Sequence, residues 1–236
     1  YNILPDGLGL GGDDIDVDEF IRIQDGYAGS ICEFDFYLKE TINGKEFIDK
    51  EVLYPSNLFS LPKAGKISLG IISPPLNVST IAQINSNTII NPENVQIRRA
   101  VGKYFYNTYV LKYDYDAIEN KPLAGYILDD EDSRNKIKVG TKAITIIAKG
   151  LRKNSINSPI IAANSVRFLD RYKFAAEQIT CSCTFGAGFA IDVGDVVLFG
   201  DSSMPYPDTT VGMRGFTPRI CEVINKKLDV KTGRVD

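Results

Sequence analysis

The sequence contains neither histidine nor tryptophan among its 236 residues. Histidine is the side chain that most often acts as a general base near neutral pH, and it is also a common zinc ligand. No CxxC pair is present either, and we interpret the four cysteines as small buried thiols. The sequence therefore predicts no enzymatic activity, no bound metal and no cofactor. The cysteines are Cys32, Cys181, Cys183 and Cys221.

An excess of positive charge and long apolar runs are also lacking. The 27 Lys and Arg residues face 30 Asp and Glu residues, for a net charge of −3. No broad basic field is present to attract nucleic acid phosphates. Apolar runs such as VVLF at 196–199 are far shorter than the roughly 20 residues of a membrane helix, so we expect no membrane segment. The composition, 44% hydrophobic and 24% charged, is that of a globular protein with a buried core.

The spacing of apolar residues predicts an α+β fold made mainly of antiparallel strands. For residues 1–76 we expect a smaller α/β region, with a short helix capped by an aspartate, one hairpin with an Asn-Gly turn and a further strand. These signals lie at Asp16, at 31–38 followed by Asn43-Gly44, and at 66–72.

For residues 77–236 we expect a barrel-like region with one inserted helix near 159–173. Ser158 and Pro159 are typical of a helix start, a serine cap followed by proline at the first helical position. Strict alternation over 179–185 predicts a strand that turns Ile179, Cys181, Cys183 and Phe185 toward a core. Strands are also predicted at 104–116, 196–199 and 220–224, residues 77–100 are interpreted as a connection, and 140–151 fits a strand or a short helix.

FGDSS at 199–203 follows an apolar strand and resembles the nucleophile block of GDSL-type hydrolases. Those enzymes activate their serine with a histidine, because a hydroxyl at its ordinary pKa is a poor nucleophile. This chain has none, and 34 residues after Ser202 are too few for the rest of such a domain. We interpret Ser202 as part of a polar turn.

Two further motifs near the start of the chain are weak. GLGLGG at 7–12 matches GxGxxG through Gly7, Gly9 and Gly12, but the aspartates that follow would repel a pyrophosphate. The DxDxD run of Asp14, Asp16 and Asp18 lacks the glycine and the final glutamate of a calcium loop. Helix capping by carboxylates explains it better.

The aromatic residues at 104–115 raise the possibility of base stacking. Stacking platforms for single strands lie in basic grooves, whereas Lys103 and Lys112 are balanced here by Asp114 and Asp116. We expect a strand that is packed in a core or faces an interface.

Several segments, in order, resemble phage tail baseplate-hub and tail-tip proteins. The residues 189–201, FAIDVGDVVLFGD, are similar to the barrel segment of that family, in which a helix and a strand lead to an (L/I)-x-x-G-D-x-V turn. A closing hairpin follows, matched here by RICEVINKKLDVKTGRV at 219–235. LPDGLGLGGDDIDVDEF is similar to the start of hub proteins. NVQIRRAVGKYFYNTYVLKYDYD, DSRNKIKVGTKAITIIAKGLR and ANSVRFLDRYKFAAEQI resemble the strand, linker and helix of the family.

The resemblance implies a virion structural protein of the phage tail tip, within a chain longer than this segment. Hub proteins form a ring, usually a homotrimer, that joins the tail tube or distal tail protein to the central fibre or spike. The tape measure protein is a further expected partner, and DNA passes through the ring during ejection. Residues 129–132, DDED, are a candidate for an acidic lumen that does not retain phosphates. The alternative is a glycan- or receptor-binding adhesin module, although sugar platforms favour tryptophan.

Overall fold

The computed structural model describes residues 11–27, 31–36, 43–72, 81–99, 105–204, 207–208 and 213–236. These residues have an α+β fold in which most strand pairs are antiparallel, as predicted. The α-helices are α1 (Val17–Tyr27), α2 (Gly44–Phe47), α3 (Glu131–Ile137), α4 (Asn157–Tyr172) and α5 (Phe185–Gly188). The strands are β1 (Leu58–Lys63), β2 (Lys66–Ile71), β3 (Ala82–Ile84), β4 (Ile89–Ile90), β5 (Gln96–Arg99), β6 (Thr108–Asp116), β7 (Lys121–Asp129), β8 (Ala143–Ile147), β9 (Glu177–Thr180), β10 (Ser182–Thr184), β11 (Val196–Phe199), β12 (Pro207–Asp208), β13 (Met213–Arg214), β14 (Arg219–Glu222), β15 (Leu228–Asp229) and β16 (Arg234–Val235).

The chain forms two compact units, each built from two stretches. The first unit combines Tyr1–Ser73 with Ala100–Ala176, and the second combines Pro74–Arg99 with Glu177–Asp236. The sequence suggested a contiguous division at 76–77. The units differ from that division because β6, β7, β8 and α4 belong with the N-terminal stretch.

The larger core of the first unit lies between α4 and a three-stranded sheet of order β7-β6-β8. Strand β6 pairs antiparallel with β7 and parallel with β8. Alternate residues of β6 point toward α4, where Tyr109 and Leu111 are buried against Ile161 and Phe168. Alternate residues of β6 and the residues on one face of α4 thus form one core. The predicted strand at 104–116 and the predicted helix are confirmed.

The N-terminal part of the first unit contains α1 and the β1–β2 hairpin. The backbone N–H of Glu19 donates to Asp16 Oδ1 at 3.4 Å, which confirms the aspartate cap of α1. Strand β2 confirms the strand expected at 66–72. Its partner β1 was missed, and the two are joined by Ala64 and Gly65, which both have positive φ as in a tight hairpin turn.

The hairpin predicted around Asn43-Gly44 is wrong. Asn43 caps α2 instead, accepting from the backbone N–H of Glu46 at 3.1 Å. Asparagine favours helix caps as well as turns, and the sequence alone did not separate the two roles. A π-helical turn, Ile48–Leu53, continues α2. Phe34, expected in the first strand of that hairpin, forms an isolated bridge with Leu151.

The start of α4 also differs from its prediction. Ser158 lies inside the helix, where its hydroxyl donates to the backbone oxygen of Asn154 at 2.7 Å. The N-terminal N–H of Asn157 is satisfied by Asn154 Oδ1 at 2.6 Å. Asn154, four residues before Ser158, therefore accepts the N–H hydrogen bond at the start of the helix that was expected to go to Ser158. Residues 140–151, left open between strand and helix, contain the strand β8.

Residues 77–100, interpreted as a connection, contain three short strands of the second unit. Strand β3 pairs with β11, β4 with β10, and β5 with β9. The prediction of a connection is wrong because these strands are two to four residues long and carry too little periodicity to be recognised. Their partners are distant in the sequence. The core that they share includes Ile84, Val95, Val197 and Phe199.

The strand predicted over 179–185 is interrupted at Cys181 and ends before Phe185. Cys183 is buried, and Ile179 and Cys181 pack against the core of the second unit, as expected. Phe185 begins α5 and is 39% exposed, so its predicted burial is wrong. Its ring instead stacks on Phe189 at 4.9 Å between centroids. Glycines at 186 and 188 accompany the change from strand to helix.

The strand pairs described here form sheets of two to four strands. The barrel-like arrangement expected for 77–236 stays a prediction. Strands β11 and β14 occupy the predicted positions, and β15 and β16 form the expected final hairpin. Within the described ranges, no helix has the length and apolar character needed to cross a bilayer.

Candidate functional site

Ser202 lies in an exposed turn next to Asp201, whose carboxylate accepts hydrogen bonds from two backbone N–H groups. Asp201 Oδ2 accepts from the backbone N–H of Ser86 at 2.6 Å, and Asp201 Oδ1 accepts from that of Ser203 at 2.6 Å. Burial alone would raise the pKa of Asp201, but these hydrogen bonds outweigh it and lower the pKa below its ordinary value. A carboxylate with a lowered pKa is a weaker base. The geometry therefore fits the turn predicted from the sequence.

The three aspartates near the start of the described chain do different things. Asp14 Oδ2 accepts from the backbone N–H of Gly11 at 2.7 Å. Asp16 caps α1 and accepts from the Ser68 hydroxyl at 2.9 Å through its second oxygen, while Asp18 lies in the first turn of α1. In the described part of the chain, no group of three or more His, Cys, Asp or Glu side chains is arranged to hold a metal. Gly7 and Gly9 lie outside the described residues.

Most aromatic residues of β6 and its N-terminal flank point inward, whereas Tyr115 is half-buried and its hydroxyl donates to Asn120 Oδ1 at the surface at 2.6 Å. Phe105, Tyr109 and Tyr113 are buried, and the Tyr109 ring lies 5.3 Å from that of Phe168. Burial raises the pKa of the Tyr109 hydroxyl, which keeps this group neutral. These rings are not accessible to stack on a nucleic acid base or a sugar. Tyr104, the first residue of the predicted cluster, lies outside the described residues.

The acidic segment 129–132 is not a loop. Asp129 ends β7 and Asp130 caps α3, accepting from the backbone N–H of Ser133 at 2.8 Å. Asp129 also forms an ion pair with Arg134 at 2.7 Å, and Asp130 forms one with Lys173 at 3.2 Å. Burial opposes ionisation of Asp130, but its bonds to Ser133 and Lys173 outweigh burial and lower its pKa. Glu131 and Asp132 are exposed to solvent, and Glu131 forms a longer ion pair with Arg134 at 3.7 Å.

The cysteines are free thiols; Cys32 and Cys183 are buried as predicted, whereas Cys181 and Cys221 are only half-buried. Burial raises the pKa of Cys32 to about 11, and burial likewise raises that of Cys221 to about 11. Cys181 and Cys183 have their sulfur atoms 3.9 Å apart. The thiolate is the reactive form of cysteine, so thiols held protonated at Cys32 and Cys221 are poor nucleophiles.

The surface that sequence reasoning missed is the outer sheet face, formed by the residues of β7, β6 and β8 that point away from α4. Leu123 and Ile127 of β7 are 60% and 68% exposed there, and Ile147 of β8 is also exposed. The residues KPLAGYILD carry no period-two signal, because apolar residues lie at both odd and even positions. In the structure the odd-numbered residues are exposed and the even-numbered residues are half-buried. Exposed apolar side chains grouped on one face are typical of protein–protein contacts.

No protein-family model and no curated protein matches the chain. Among solved structures it is similar to the prophage tail protein gp18 from Listeria monocytogenes EGD-e, with 12% identity and a TM-score of 0.37 over 76% of this chain and 47% of that chain. It is also similar to the 43 kDa tail protein of prophage MuSo2 from Shewanella oneidensis, with 10% identity and a TM-score of 0.35 over 76% of this chain and 49% of that chain. The chain spans about half the length of these two tail proteins. Values this low establish neither a common fold nor a common function.

Proposed function

We propose that the chain is a structural component of a bacteriophage tail, located at the tail tip as part of the baseplate hub. One observation carries the proposal, the order of elements in the second half of the chain. Helix α4 ends, and β9, β10 and the short helix α5 follow. A turn at 192–195 leads into β11, and after β12, β13 and β14 the hairpin of β15 and β16 comes last. The resemblance of the sequence to hub proteins implies this order. In the turn, the Asp195 N–H donates to Asp192 O at 3.1 Å and Gly194 has φ of 90°.

The role that we propose is structural and not enzymatic. Two features support it. Ser202 is adjacent to a carboxylate whose lowered pKa makes it a weak base. Burial keeps the thiols of Cys32 and Cys221 protonated.

In this role the chain assembles as a homotrimeric ring between the tail tube or distal tail protein and the central fibre or spike, next to the tape measure protein. DNA passes through the ring without stable binding. The net charge of −3 suits such a passage, because clustered basic side chains would retain the phosphate backbone. The first turn of α3, with Glu131 and Asp132, is the candidate lining. Within this turn Asp132 is the main candidate, since Asp129, Asp130 and Glu131 each form an ion pair with a cation.

Interruption of the gene in the phage that encodes the chain tests the proposal. A hub component is required to build the tail, so we expect particles without complete tails, observed by negative-stain electron microscopy. Complementation with the wild-type gene and with Ser202→Ala should both restore tails. Complete tails that no longer adsorb to cells would overturn the hub role and support the adhesin. Failure of Ser202→Ala alone would overturn the non-enzymatic role.

A further inference from the structure

In the part of the chain that the structure describes, strand β7 lies at the edge of its sheet and no strand pairs with its outer side. Among the described residues the strand order is β7-β6-β8, and β6 occupies one side of β7 along its whole length. The register is the same from Thr108 opposite Asp129 to Asp116 opposite Lys121, without an inserted residue. The pairing is interrupted once, at Asp114 opposite Leu123, where Asp114 has φ of 57°. A long edge strand without a bulge presents a row of backbone groups that another strand can bind.

The backbone directions of β7 follow from two hydrogen bonds. The Lys112 oxygen accepts from the Ala148 N–H at 2.9 Å, so the backbone groups of Lys112 point toward β8. In an antiparallel pair, two opposite residues direct their backbone N–H and C=O groups either both toward each other or both away from each other. Gly125, opposite Lys112, therefore directs its N–H and C=O away from β6. The N–H of Asp130 donates to Asn107 O at 2.9 Å. The backbone groups of even-numbered residues therefore face β6, and those of odd-numbered residues in β7 face away from it.

The outward-pointing residues of β7 are the odd-numbered ones, and they also carry the exposed apolar side chains. Charged residues occur only at the two ends of the strand, and Pro122 is its second residue. The central stretch 123–127 thus lacks the lysines, prolines and bulges with which sheet edges usually avoid pairing.

The sequence of β7 is complementary to itself in the antiparallel direction. With Gly125 opposite Gly125 of a second copy, Leu123 lies opposite Ile127 and Lys121 lies opposite Asp129. Apolar and oppositely charged cross-strand pairs stabilise a sheet, and this register has no like charges opposite each other within β7. Lys121 and Asp129 already have partners within the chain, Glu119 and Arg134, so the central apolar pairs provide most of the stabilisation.

We propose that β7 pairs with β7 of a second copy of this chain, antiparallel and about a two-fold axis at Gly125, to join two three-stranded sheets into one of six strands. Leu123 and Ile127 of both copies then form an apolar cluster around the axis. We expect the partner strand to come from a second copy of this chain, because β7 running in the opposite direction supplies both the apolar and the oppositely charged partner of each residue. A contact of this size is small, and the dimer is in exchange with the monomer.

The two-fold contact goes beyond the proposed tail role and is independent of it. A two-fold contact between identical surfaces cannot by itself generate a three-fold ring. The two proposals therefore concern different surfaces. The gene-interruption result does not depend on β7 pairing, and self-association of the purified chain does not depend on the tail role.

Sedimentation velocity of the full chain over a range of concentrations tests the contact. We expect a monomer–dimer equilibrium, and Ile127→Lys should raise its dissociation constant at least about tenfold, because a lysine would face Leu123 of the partner copy. The matched control is Ile147→Lys, an exposed residue on the same sheet face but on β8, which should leave the equilibrium unchanged. Circular dichroism verifies that both variants are folded.

Cross-linking tests the register directly. An added Cβ at Gly125 would have Leu111 O as its nearest neighbour at 3.7 Å, an ordinary contact, so Gly125→Cys should fold. Two such cysteines would face each other across the axis and lose two electrons and two protons to oxidised glutathione, forming an intermolecular disulfide. Thr145→Cys on β8 is the control and should remain monomeric on non-reducing gels. A wild-type monomer at every concentration, a dimer insensitive to Ile127→Lys, or equal cross-linking of the two cysteine variants would each overturn the proposal.

Discussion

Asp201 connects three segments of the second unit through one residue. Its carboxylate accepts from the backbone N–H groups of Ser86 and Ser203, and its backbone oxygen accepts from the Phe216 N–H at 2.8 Å. Hydrogen bonds to an ionised group are stronger than those between neutral groups. The residue next to the serine of the FGDSS motif thus has a clear structural role.

The lowered pKa of Asp201 predicts how stability depends on pH. A carboxyl whose pKa is lower in the folded state stabilises the protein above its unfolded-state pKa, and this contribution is lost as the pH falls through the folded-state pKa. We expect Asp201→Asn to lower the free energy of unfolding by about 1–3 kcal/mol at pH 7. The difference between wild type and variant should shrink below about pH 4, measured by urea unfolding. A difference that is the same at pH 7 and at pH 3 would contradict this role.

Phe199 in β11 is buried, whereas Phe185 in α5 is partly exposed. Phe199 is 3% exposed, and its ring meets Phe216 edge-on at 5.5 Å. We expect Phe199→Ala to cost about 3–5 kcal/mol, as large-to-small changes in a core do. Phe185→Ala should cost less than about 1 kcal/mol, because its ring is partly in solvent. Denaturant unfolding of both variants measures the two losses, and equal losses would show that the assignment of the core is wrong.

Among the contacts between elements, the side chain of Asn157 links the segment 31–36 to the start of α4 through hydrogen bonds. Its side chain is buried and makes three hydrogen bonds, accepting from Glu33 N at 2.9 Å and donating to Glu33 O at 3.0 Å and Arg152 O at 2.9 Å. This amide, the bridge between Phe34 and Leu151 and the hydrogen bond from the Asp35 N–H to Gly150 O at 2.8 Å hold 31–36 in place of the predicted hairpin.

Substitution of Asn157 should therefore be costly. We expect Asn157→Ala to destabilise the protein by about 1–3 kcal/mol, since it leaves half-buried backbone groups of Glu33 and Arg152 without their partner. Asn135→Ala, at an exposed position of α3, is the matched control and should change stability by less than about 0.5 kcal/mol. Thermal unfolding followed by circular dichroism compares them. A control variant as unstable as Asn157→Ala would argue against the buried amide as the cause.

The elements that could be predicted from the sequence are those with strong local signals. Such signals are the carboxylate before α1, the many β-forming residues of β6 and the apolar spacing of α4. Strands β3, β4 and β5 could not be predicted, because they are short and depend on pairing with strands far away in the sequence. Strand β7 was missed because glycine and proline in KPLAGYILD suggest a turn. The exposed apolar surface was missed with it, whereas the turn at Ser202 was predicted correctly from its polar residues.

At the scale of the whole molecule, the two units have separate cores. The clusters around Tyr109 and around Ile23 consist of residues of the first unit, and the cluster around Val197 consists of residues of the second. Units with their own cores can open separately.

Hydrogen exchange should reveal this separation. We expect Phe199→Ala to increase amide exchange in β9, β11 and β14 of the second unit, while exchange in β6 of the first unit stays within error of the wild type. The reason is that the cavity removes contacts from only one of the cores. Exchange that rises equally in β6 and β11 would indicate a single cooperative unit and contradict the prediction.

In the role that we propose, the chain is a structural ring component of a phage tail tip. The element order from α4 to the final hairpin supports this role, together with the mildly acidic charge and the hydrogen-bonded carboxylate beside Ser202. The decisive experiment is electron cryo-microscopy of intact tails from the encoding phage. We expect density for the two units in three copies around the tail axis at the tip, with no ring of Lys and Arg side chains in the channel. A single off-axis copy, or a channel lined by Lys and Arg, would contradict it.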